Sequence, residues 1–597
     1  MSGRPAPVRA ADGFRARLGA LLSPPAGTAA PKQPAALSYG LEQWPPALVL
    51  WISAVQHVAM MAIFMVYPLI VAREAGLAPD RIINMMQLGA LVLAAAVLLQ
   101  ALPRGPVGAR LLAPSIFTGV YLGPSLLAVK TGGLPLLWGM TIFAGVVEAA
   151  LSRIWVRLRP FIPPESVGLV VFLVGAIIAL AAARVLLGTT PGAALAGRDG
   201  AVAGMALAVM AALNVWNKGR LKLFCILIGM IVGYLAAAAM GVLTAQDLAV
   251  VMRRPLLALP SLGAISYAFD WNMVIPFAIT GLAAAMNTTA VATTYQRLTD
   301  ADWVRPGMTA IGRGVLGDGI ATTIAGLLGT YGLTVSSANV GLVAATGVAS
   351  RVIAFAVAAI LLAVAMEPRF VGVLTIMPRP VMASAMLFTA AFIMISGVQI
   401  VATRLLDGRR TLVVGMGLMA FLLVSVYPAA FAGAPAWAQP IVGSPLVLAI
   451  IVALLLNLVF RIGIRRTVQA AIDPLAPDQT AITRFIERNA AIWGARRDAV
   501  KRVEFAVQQT IEALAGVCET ASPIGLAVSY DEFVIDVAVT YDGAPLAFPA
   551  NRPTPDQIAG GEDGYRQLAG YLIAHYADRV EMSRQDGRSA LLLYFDH

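Results

Sequence analysis

The sequence predicts an all-α polytopic membrane protein of about fourteen transmembrane segments, followed by a small soluble α/β domain. Three observations carry that prediction. The 597 residues are 59% hydrophobic and only 13% charged, with a mean hydropathy of +0.79, whereas soluble chains are roughly a quarter charged. Apolar runs of the roughly 20 residues needed to cross a hydrocarbon core recur from about residue 46 to residue 460. Beyond Arg466 the composition changes abruptly to a charged, mixed pattern that continues to His597.

Residues 1–40 are rich in Pro, Ala and Arg, and the short apolar stretch from Leu18 to Leu22 is broken at once by Ser23, Pro24 and Pro25. This segment is expected to be a disordered cytoplasmic tail, not a signal peptide. Windows of about 19 residues place helices near residues 47–72, 81–101, 112–129, 134–152, 164–187, 200–216 and 221–242. After a loop, a second set of seven falls near 270–294, 310–328, 331–347, 350–366, 371–400, 411–430 and 443–460. Basic residues cluster in alternate loops: Arg153, Arg157 and Arg159; Lys218, Arg220 and Lys222; Arg297, Arg305 and Arg313; Arg404, Arg409 and Arg410; Arg461, Arg465 and Arg466. With the N-terminal tail and the segment after the last helix both in the rich set, the positive-inside rule predicts an even count in the inner (plasma) membrane with both termini cytoplasmic. The net charge of +11 is thus topology, and nucleic acid is not an expected partner. Cys225 and Cys518 are far apart and only three histidines are present, so neither a disulfide framework, a metal cluster nor a cofactor is expected. No nucleophile with a base and no phosphate loop is evident, which points to a transporter and away from an enzyme.

Two apolar runs are not ordinary helices. The third, LLAPSIFTGVYLGPSLLAVK, and the tenth, TYGLTVSSANVGLVAATG, are crowded with Gly, Pro, Ser and Thr and hold the same position in each set of seven. Irregular backbone survives at membrane depth only where protein or a water-filled cavity satisfies its polar groups. Either run alone is compatible with a Gly-rich packing seam. As a matched pair they predict an inverted repeat, about residues 41–243 and 269–460, with the binding site at its centre.

The tenth run continues as SSANVGLVAATGVASR, from Ser336 to Arg351. It resembles the signature [QEP]-N-x-G-x4-T-[RKG] of the nucleobase/ascorbate transporter family (nucleobase:cation symporter family 2), with Asn339, Gly341, Thr346 and Gly347 at matching positions, and is similar to its xanthine, uracil and urate permease branch. YGLEQWPP with VQH at Val55 to His57, FIPPESVGLVVFLVGAIIAL, RGVLGDGIATTIAGLLGT and MPRPVMASAMLFTAAFIMISGVQI resemble the family's approach to helix one, helix five, helix nine and helix twelve. The resemblance covers roughly residues 39–466. It implies a seven-plus-seven inverted repeat with core and gate domains, short strands in the two broken segments, a nucleobase held between them, cation coupling with the proton first and sodium as the alternative, and a homodimer in the lipid bilayer.

The residues themselves suit that role. A planar base needs partners on its edge, and a half-helix beginning near Asn339 offers unpaired backbone N–H groups with Asn or Ser as cap. Segment three offers the mirror-image half-helix after Ser115 to Gly119, with Phe117 or Tyr121 as an aromatic face. Two positive helix ends would then favour acceptor-rich or partly anionic substrates. The candidate binding residues are Ser115, Phe117, Thr118, Asn287, Thr288, Ala338, Asn339 and Gly341. Gln56, His57, Asp318 and Thr346 are the accompanying coupling or structural polar groups.

Two positions depart from the family. The first signature residue, usually Gln or Glu, is Ala338, and the helix-eight pattern E-[ST]-T-G-D is replaced by Asn287, Thr288, Thr289, Ala290 and Val291. Asn accepts and donates hydrogen bonds but is not protonated, so the substrate need not be a purine and, if transport is proton-driven, another intramembrane group must titrate. His57, Glu148 and Asp318 are the intramembrane candidates. His57 either orients the core or acts directly. Asp318 is expected to pair with Arg313 or cap backbone, and Glu148 to reach the interface beside Arg153.

For the soluble part, residues 467–496 are expected to be a linker and 497–597 a cytoplasmic domain. The order is a helix near 497–516, strands at 524–530 and 533–541, a helix near 563–576 and strands near 578–583 and 589–595. VTYDGAPL and GGEDGYRQLAGYLIAHYADRVEMS resemble the ATP-binding domain of histidine kinases and anti-sigma factors. Asp542 and Gly543 match its adenine-binding turn, but EFAVQQTIEALAG lacks the magnesium-binding Asn, which implies a degenerate regulatory or dimerisation module. The functions in contention are secondary transport of a nucleobase-like solute by alternating access, a membrane sensor reporting through the soluble domain, and anion transport of the sulfate permease type. The NVGLV and TGV elements argue against the last.

Overall fold

The structure, a computed structural model, describes residues 32–158, 163–188, 195, 197–216, 221, 224–263, 265–303, 306–402, 406–435, 438–460, 466–474, 477–493, 495, 497–514, 522–531, 534–549, 551–554, 558, 562–585 and 588–596. Residues 1–31 of the expected tail lie outside them, as do Arg159, Lys218, Arg220, Lys222, Arg305, Arg404, Arg461 and Arg465 of the basic loops. The chain divides into two units, Met1–Leu455 and Leu456–His597.

In the first unit, α1 (Ala47–Ile63) and α2 (Val66–Glu74) share one apolar run. The run breaks at Phe64 and Met65 because Pro68 has no N–H to return to the Phe64 carbonyl. Tyr67 N bonds Phe64 O instead, at 3.3 Å. Helix α3 (Pro79–Ala101) starts on a proline at its first turn, where the missing N–H costs nothing. Strand β1 (Ser115–Phe117) and a 3-10 turn (Gly119–Tyr121) lead into α4 (Leu122–Leu158). Gly133, at φ 69°, divides α4 into the expected third and fourth segments, in a conformation that glycine adopts without steric cost. There follow α5 (Pro164–Leu187), α6 (Gly197–Val215), α7 (Cys225–Ala239) and the short α8 (Ala245–Met252).

The second half opens with α9 (Val274–Thr299) and α10 (Met308–Leu327), then strand β2 (Leu333–Val335) and α11 (Ser337–Thr346). It closes with α12 (Ile353–Met366), α13 (Pro368–Thr375), α14 (Arg379–Val401), α15 (Gly408–Val426), α16 (Gln439–Val442) and α17 (Pro445–Phe460). Among the described residues, eight helical stretches are long and apolar enough to cross a membrane, or nine if α12 and α13, bent by 83°, form one span. That is fewer than the fourteen expected: α7, α11 and α17 are short, the 20-residue α10 is not apolar enough to count, and α4 carries two expected segments in one element. Exposed Leu48, Trp51 and Val55 on α1 and Phe392, Ile395 and Val398 on α14 form apolar surface that water would not tolerate in such quantity and lipid does.

Glycines set the closest packing. A Cβ on Gly145 would lie 2.5 Å from Thr323 N and one on Gly319 2.5 Å from Ala149 N, so α4 and α10 touch backbone to backbone. Gly168, Gly175 and Gly397 do the same for α5 and α14. Such small-residue seams let helices gain dispersion contact where no hydrophobic effect drives them together. Helix α3 also packs on α12, α1 on α12 and α9 on α4.

Residues 37–40, expected within the disordered tail, are held. Ser38 N and Tyr39 N both donate to Gly347 O, Ala349 N returns to Tyr39 O at 2.9 Å, and Arg351 pairs with Glu42 at 2.8 Å.

The second unit is a five-stranded antiparallel sheet in the order β3-β4-β5-β7-β6, formed by Arg466–Ile472, Ile524–Tyr530, Val534–Asp542, Arg588–Asp596 and Arg579–Gln585 respectively. Leu526, Val528, Ile535, Val537, Val539, Leu591, Leu593 and Phe595 alternate onto one face, as the period of two requires. They pack with apolar residues of α18 (Gln479–Trp493), α19 (Arg497–Leu514) and α20 (Glu562–Tyr576). The expected linker 467–496 is thus part of the fold: β3 pairs along its length with β4, from Arg466 opposite Tyr530 to Ile472 opposite Ile524. Asp542, expected at an adenine-binding turn, pairs with Arg588 Nε at 2.8 Å.

Candidate functional site

The two broken segments meet. Strands β1 and β2 pair antiparallel, with Ser115 opposite Val335, Ile116 opposite Thr334 and Phe117 opposite Leu333. This two-stranded ribbon satisfies backbone that would otherwise be unpaired at membrane depth. Each strand then feeds a helix start. Thr118 caps the turn at Gly119–Tyr121 by accepting from Val120 N at 3.3 Å, and Ser336 caps α11 by accepting from Asn339 N at 3.2 Å.

A cavity of about 20 Å³ lies against the ribbon, lined on that side by Ile116, Thr118, Gly119, Thr334, Val335 and Ser337. Asn287 of α9 and Phe64, at the break between α1 and α2, complete that wall; Val174 and Ile178 of α5 and Ile393 of α14 form the opposite one. The volume suits a single water-sized molecule and not a planar heterocycle, so a solute of that size requires the two walls to separate. Both helix starts reach the cavity, through Gly119 and Ser337.

Asn287 Nδ2 donates to Val335 O at 3.0 Å and to Thr334 Oγ1 at 3.2 Å. That commits its amide nitrogen to β2 and leaves Oδ1 as the acceptor it presents. A glutamate here could not donate to Val335 O when ionised. Asn339 does not line the cavity; it is fully buried and its Oδ1 lies 2.7 Å from His57 Nδ1. His57 therefore donates through Nδ1 and orients Asn339. The Asn339 Nδ2 is buried without a hydrogen-bond partner.

Behind the ribbon lies a second polar cluster. Asp318 of α10 accepts from Thr288 Oγ1 at 2.6 Å and from Ser115 Oγ at 3.5 Å, and Thr288 and Thr334 exchange a hydrogen bond at 3.2 Å. Arg313 faces Arg110, so the expected Asp318–Arg313 pair does not form. Glu148 is fully buried and interacts with Asp318 across the α4–α10 seam; it does not reach the interface beside Arg153.

Of the sequence candidates, Thr118 and Asn287 line the cavity directly. Ser115, Thr288 and Asp318 are drawn together behind it. Phe117 and Tyr121 are not its aromatic face: both are buried edge-on against Tyr331, at 6.1 and 6.2 Å between centroids. Ala338 is half-buried and Gly341 exposed, and neither lines the cavity. Thr346 returns to Leu342 O at 2.8 Å, and Gly347, at φ 67°, ends α11 in a left-handed turn; both are structural. Gln56 is buried on α1. Sequence reasoning missed Phe64, Thr334 and Ser337. For Phe64 the signal was Pro68 four residues on, inside an otherwise continuous apolar run.

A bundle of apolar helices crossed at its centre by a ribbon and two half-helices defines a membrane permease. The chain belongs to the permease family of xanthine and uric-acid transporters, the nucleobase/ascorbate transporter family, whose model matches residues 49–430. Xanthine permease XanP of Escherichia coli K12 is 27% identical over 443 residues, covering 71% of this chain and 94% of that protein. Uric acid permease PucK of Bacillus subtilis is 26% identical over 419 residues, covering 70% and 96%. Among solved structures, the transmembrane domain of the cyanobacterial bicarbonate transporter BicA aligns at a TM-score of 0.41 and 13% identity, covering 68% of this chain and 96% of that one. Murine Slc26a9 in the inward-facing state aligns at 0.45 and 11%, covering 79% of each.

Proposed function

We propose that the protein is a secondary active transporter of a nucleobase such as xanthine, uracil or urate, or of a related small heterocycle, working by alternating access with cation coupling, the proton first. One observation carries this reading: two capped helix starts and the Asn287 amide converge on a single cavity whose far wall is the separate α5–α14 pair. Thr118, Asn287 and Ser337 supply edge contacts there, and Phe64 supplies an aromatic face. His57 and Asn339 fix the first turn of α11, and Ser115, Thr288 and Asp318 fix the ribbon from behind. Separation of the α5–α14 wall from the ribbon on one side of the membrane admits the substrate, and closure there with opening on the other side releases it.

A fourteen-segment, seven-plus-seven inverted repeat is supported by the packing pairs. Exchanging each segment with its counterpart seven places on turns α4–α10 into α12–α3 and α9–α4 into α1–α12, and returns α5–α14 and the ribbon to themselves. The same reading places the protein in the inner membrane as a homodimer with both termini cytoplasmic. The soluble unit then serves as a regulatory or dimerisation module.

The test is uptake. Purified protein in liposomes should accumulate labelled xanthine or urate under an inward proton gradient. Failure with every nucleobase in both proton and sodium gradients would sink the reading, and saturable binding without accumulation would point to a sensor.

A further inference from the structure

The transport reading needs a proton site, and the seam between α4 and α10 offers one that the cavity itself lacks. Asn287 does not titrate. Glu148 is wholly buried, and both its carboxyl oxygens lack a hydrogen-bond donor. It is directed at Asp318, likewise wholly buried, where α4 and α10 approach within backbone contact at Gly145 and Gly319. Among the described residues, the other titratable group acting on the pair is Tyr121, buried beside the ribbon; Asp318 also meets the hydroxyls of Ser115, Thr288 and Thr334 and the backbone N–H of Val335. Arg313, on the same helix as Asp318, faces Arg110. Among the described residues, no cation acts on either carboxyl.

Two carboxylates without a counter-ion in such a setting would carry both the desolvation cost of each charge and their mutual repulsion. A proton shared between one oxygen of Glu148 and one of Asp318 removes a charge and gives an oxygen of Glu148 the donor it lacks. The cluster is also wired to the cavity. Asn287 bonds Thr334, Thr334 bonds Thr288, and Thr288 bonds Asp318 at 2.6 Å, so four side chains in sequence join the cavity wall to the carboxyl pair. A ligand that competes for Asn287 or Thr334 alters the hydroxyl donated to Asp318, and with it the pair's hold on the proton.

We propose that the Glu148–Asp318 carboxyl pair is the proton-binding site of the transport cycle, standing behind the ribbon in place of an acidic residue in the cavity. The inference rests on the transport reading above. One proton binds the pair in the outward-open state and is released to the inside as the cavity empties, leaving both carboxylates ionised until reprotonation. No other species is consumed.

The experiment separates exchange from accumulation in liposomes, using the full chain and xanthine or urate. Glu148→Gln keeps the shape and a donor toward Asp318 but binds no proton. It should retain counterflow exchange within about twofold of the unsubstituted protein, while accumulation driven by a proton gradient falls to background. A Glu148→Gln protein that still accumulates substrate on a proton gradient overturns the proposal, as does accumulation by the unsubstituted protein that follows sodium and ignores pH. Absence of counterflow in the unsubstituted protein overturns the transport reading itself. An infrared difference spectrum across a pH step then tests the pair independently: a protonated-carboxyl band lost in Glu148→Gln supports it, and an unchanged spectrum overturns it. If Glu148→Gln does not fold, Glu148→Asp, which retains titration at altered reach, should keep accumulation but shift its pH profile; an unshifted profile counts against the pair.

Discussion

The two faces of the β1–β2 ribbon differ in charge. The front presents Thr118, Asn287, Thr334 and Ser337 to a small cavity, all neutral groups that donate and accept. The back holds Asp318 and Glu148, both fully buried and neither lining that cavity. A front of neutral donors and acceptors suits a planar ligand read by hydrogen bonds along its edge, because an unpaired polar edge would cost desolvation without a partner. An acidic back suits a group whose protonation changes during a cycle. On the proposed reading, recognition and coupling need not share a residue, because a ribbon only one strand-pair thick separates them and Thr334 touches both sides.

The seam behind the ribbon gives the largest expected effect. Gly319→Val places a Cβ 2.5 Å from the Ala149 backbone nitrogen, which neither helix can relieve by a rotamer change. Loss of monodisperse, folded protein on size-exclusion chromatography is the expected outcome; a well-behaved variant would contradict the rigid back. On the front, Asn287→Ala removes the bonds to Val335 and Thr334 together with the ligand acceptor. Substrate affinity by calorimetry should fall roughly 100-fold, about 2.7 kcal/mol. An affinity within twofold would place the ligand elsewhere. His57→Ala frees Asn339 and should weaken binding about tenfold, with partial recovery in His57→Gln, which can still donate; equal losses in both would assign His57 a direct contact.

The smallest effect lies far from either face. Asp542 is held below its ordinary carboxyl range first by the hydrogen bond from Arg588 and then by Ser522. Such a group contributes to stability above its unfolded-state value and loses that contribution as pH falls through the lowered one. Arg588→Gln should therefore soften acid resistance of the second unit slightly in a thermal melt at acidic pH, with substrate affinity unchanged, since exposed pairs contribute little.

Much of this was legible in the sequence. The apolar runs located nearly every helix, and the Gly, Pro, Ser and Thr content of segments three and ten marked the centre. The pairing of those segments with each other, Ser115 to Val335, was not legible, because three-residue strands carry no period to read. Glu148 was misread for a related reason: Arg153 lies five residues away in sequence, whereas Asp318 lies 170 residues away, and only the Gly145–Gly319 approach brings it near. Residues 37–40 and 467–472 were assigned to a tail and a linker on composition, yet both gain order from hydrogen bonds to distant backbone. Tertiary pairing of that kind leaves no local signature.

The division of labour across the ribbon is tested most directly by titrating xanthine or urate into purified protein in two buffers of different ionisation enthalpy, which reports the protons exchanged on binding. The unsubstituted protein should bind with a measurable proton linkage, Asn287→Ala should lose binding, and Glu148→Gln should bind at nearly unchanged affinity with no linkage. Binding abolished by Glu148→Gln, or a linkage that survives it, would contradict the account.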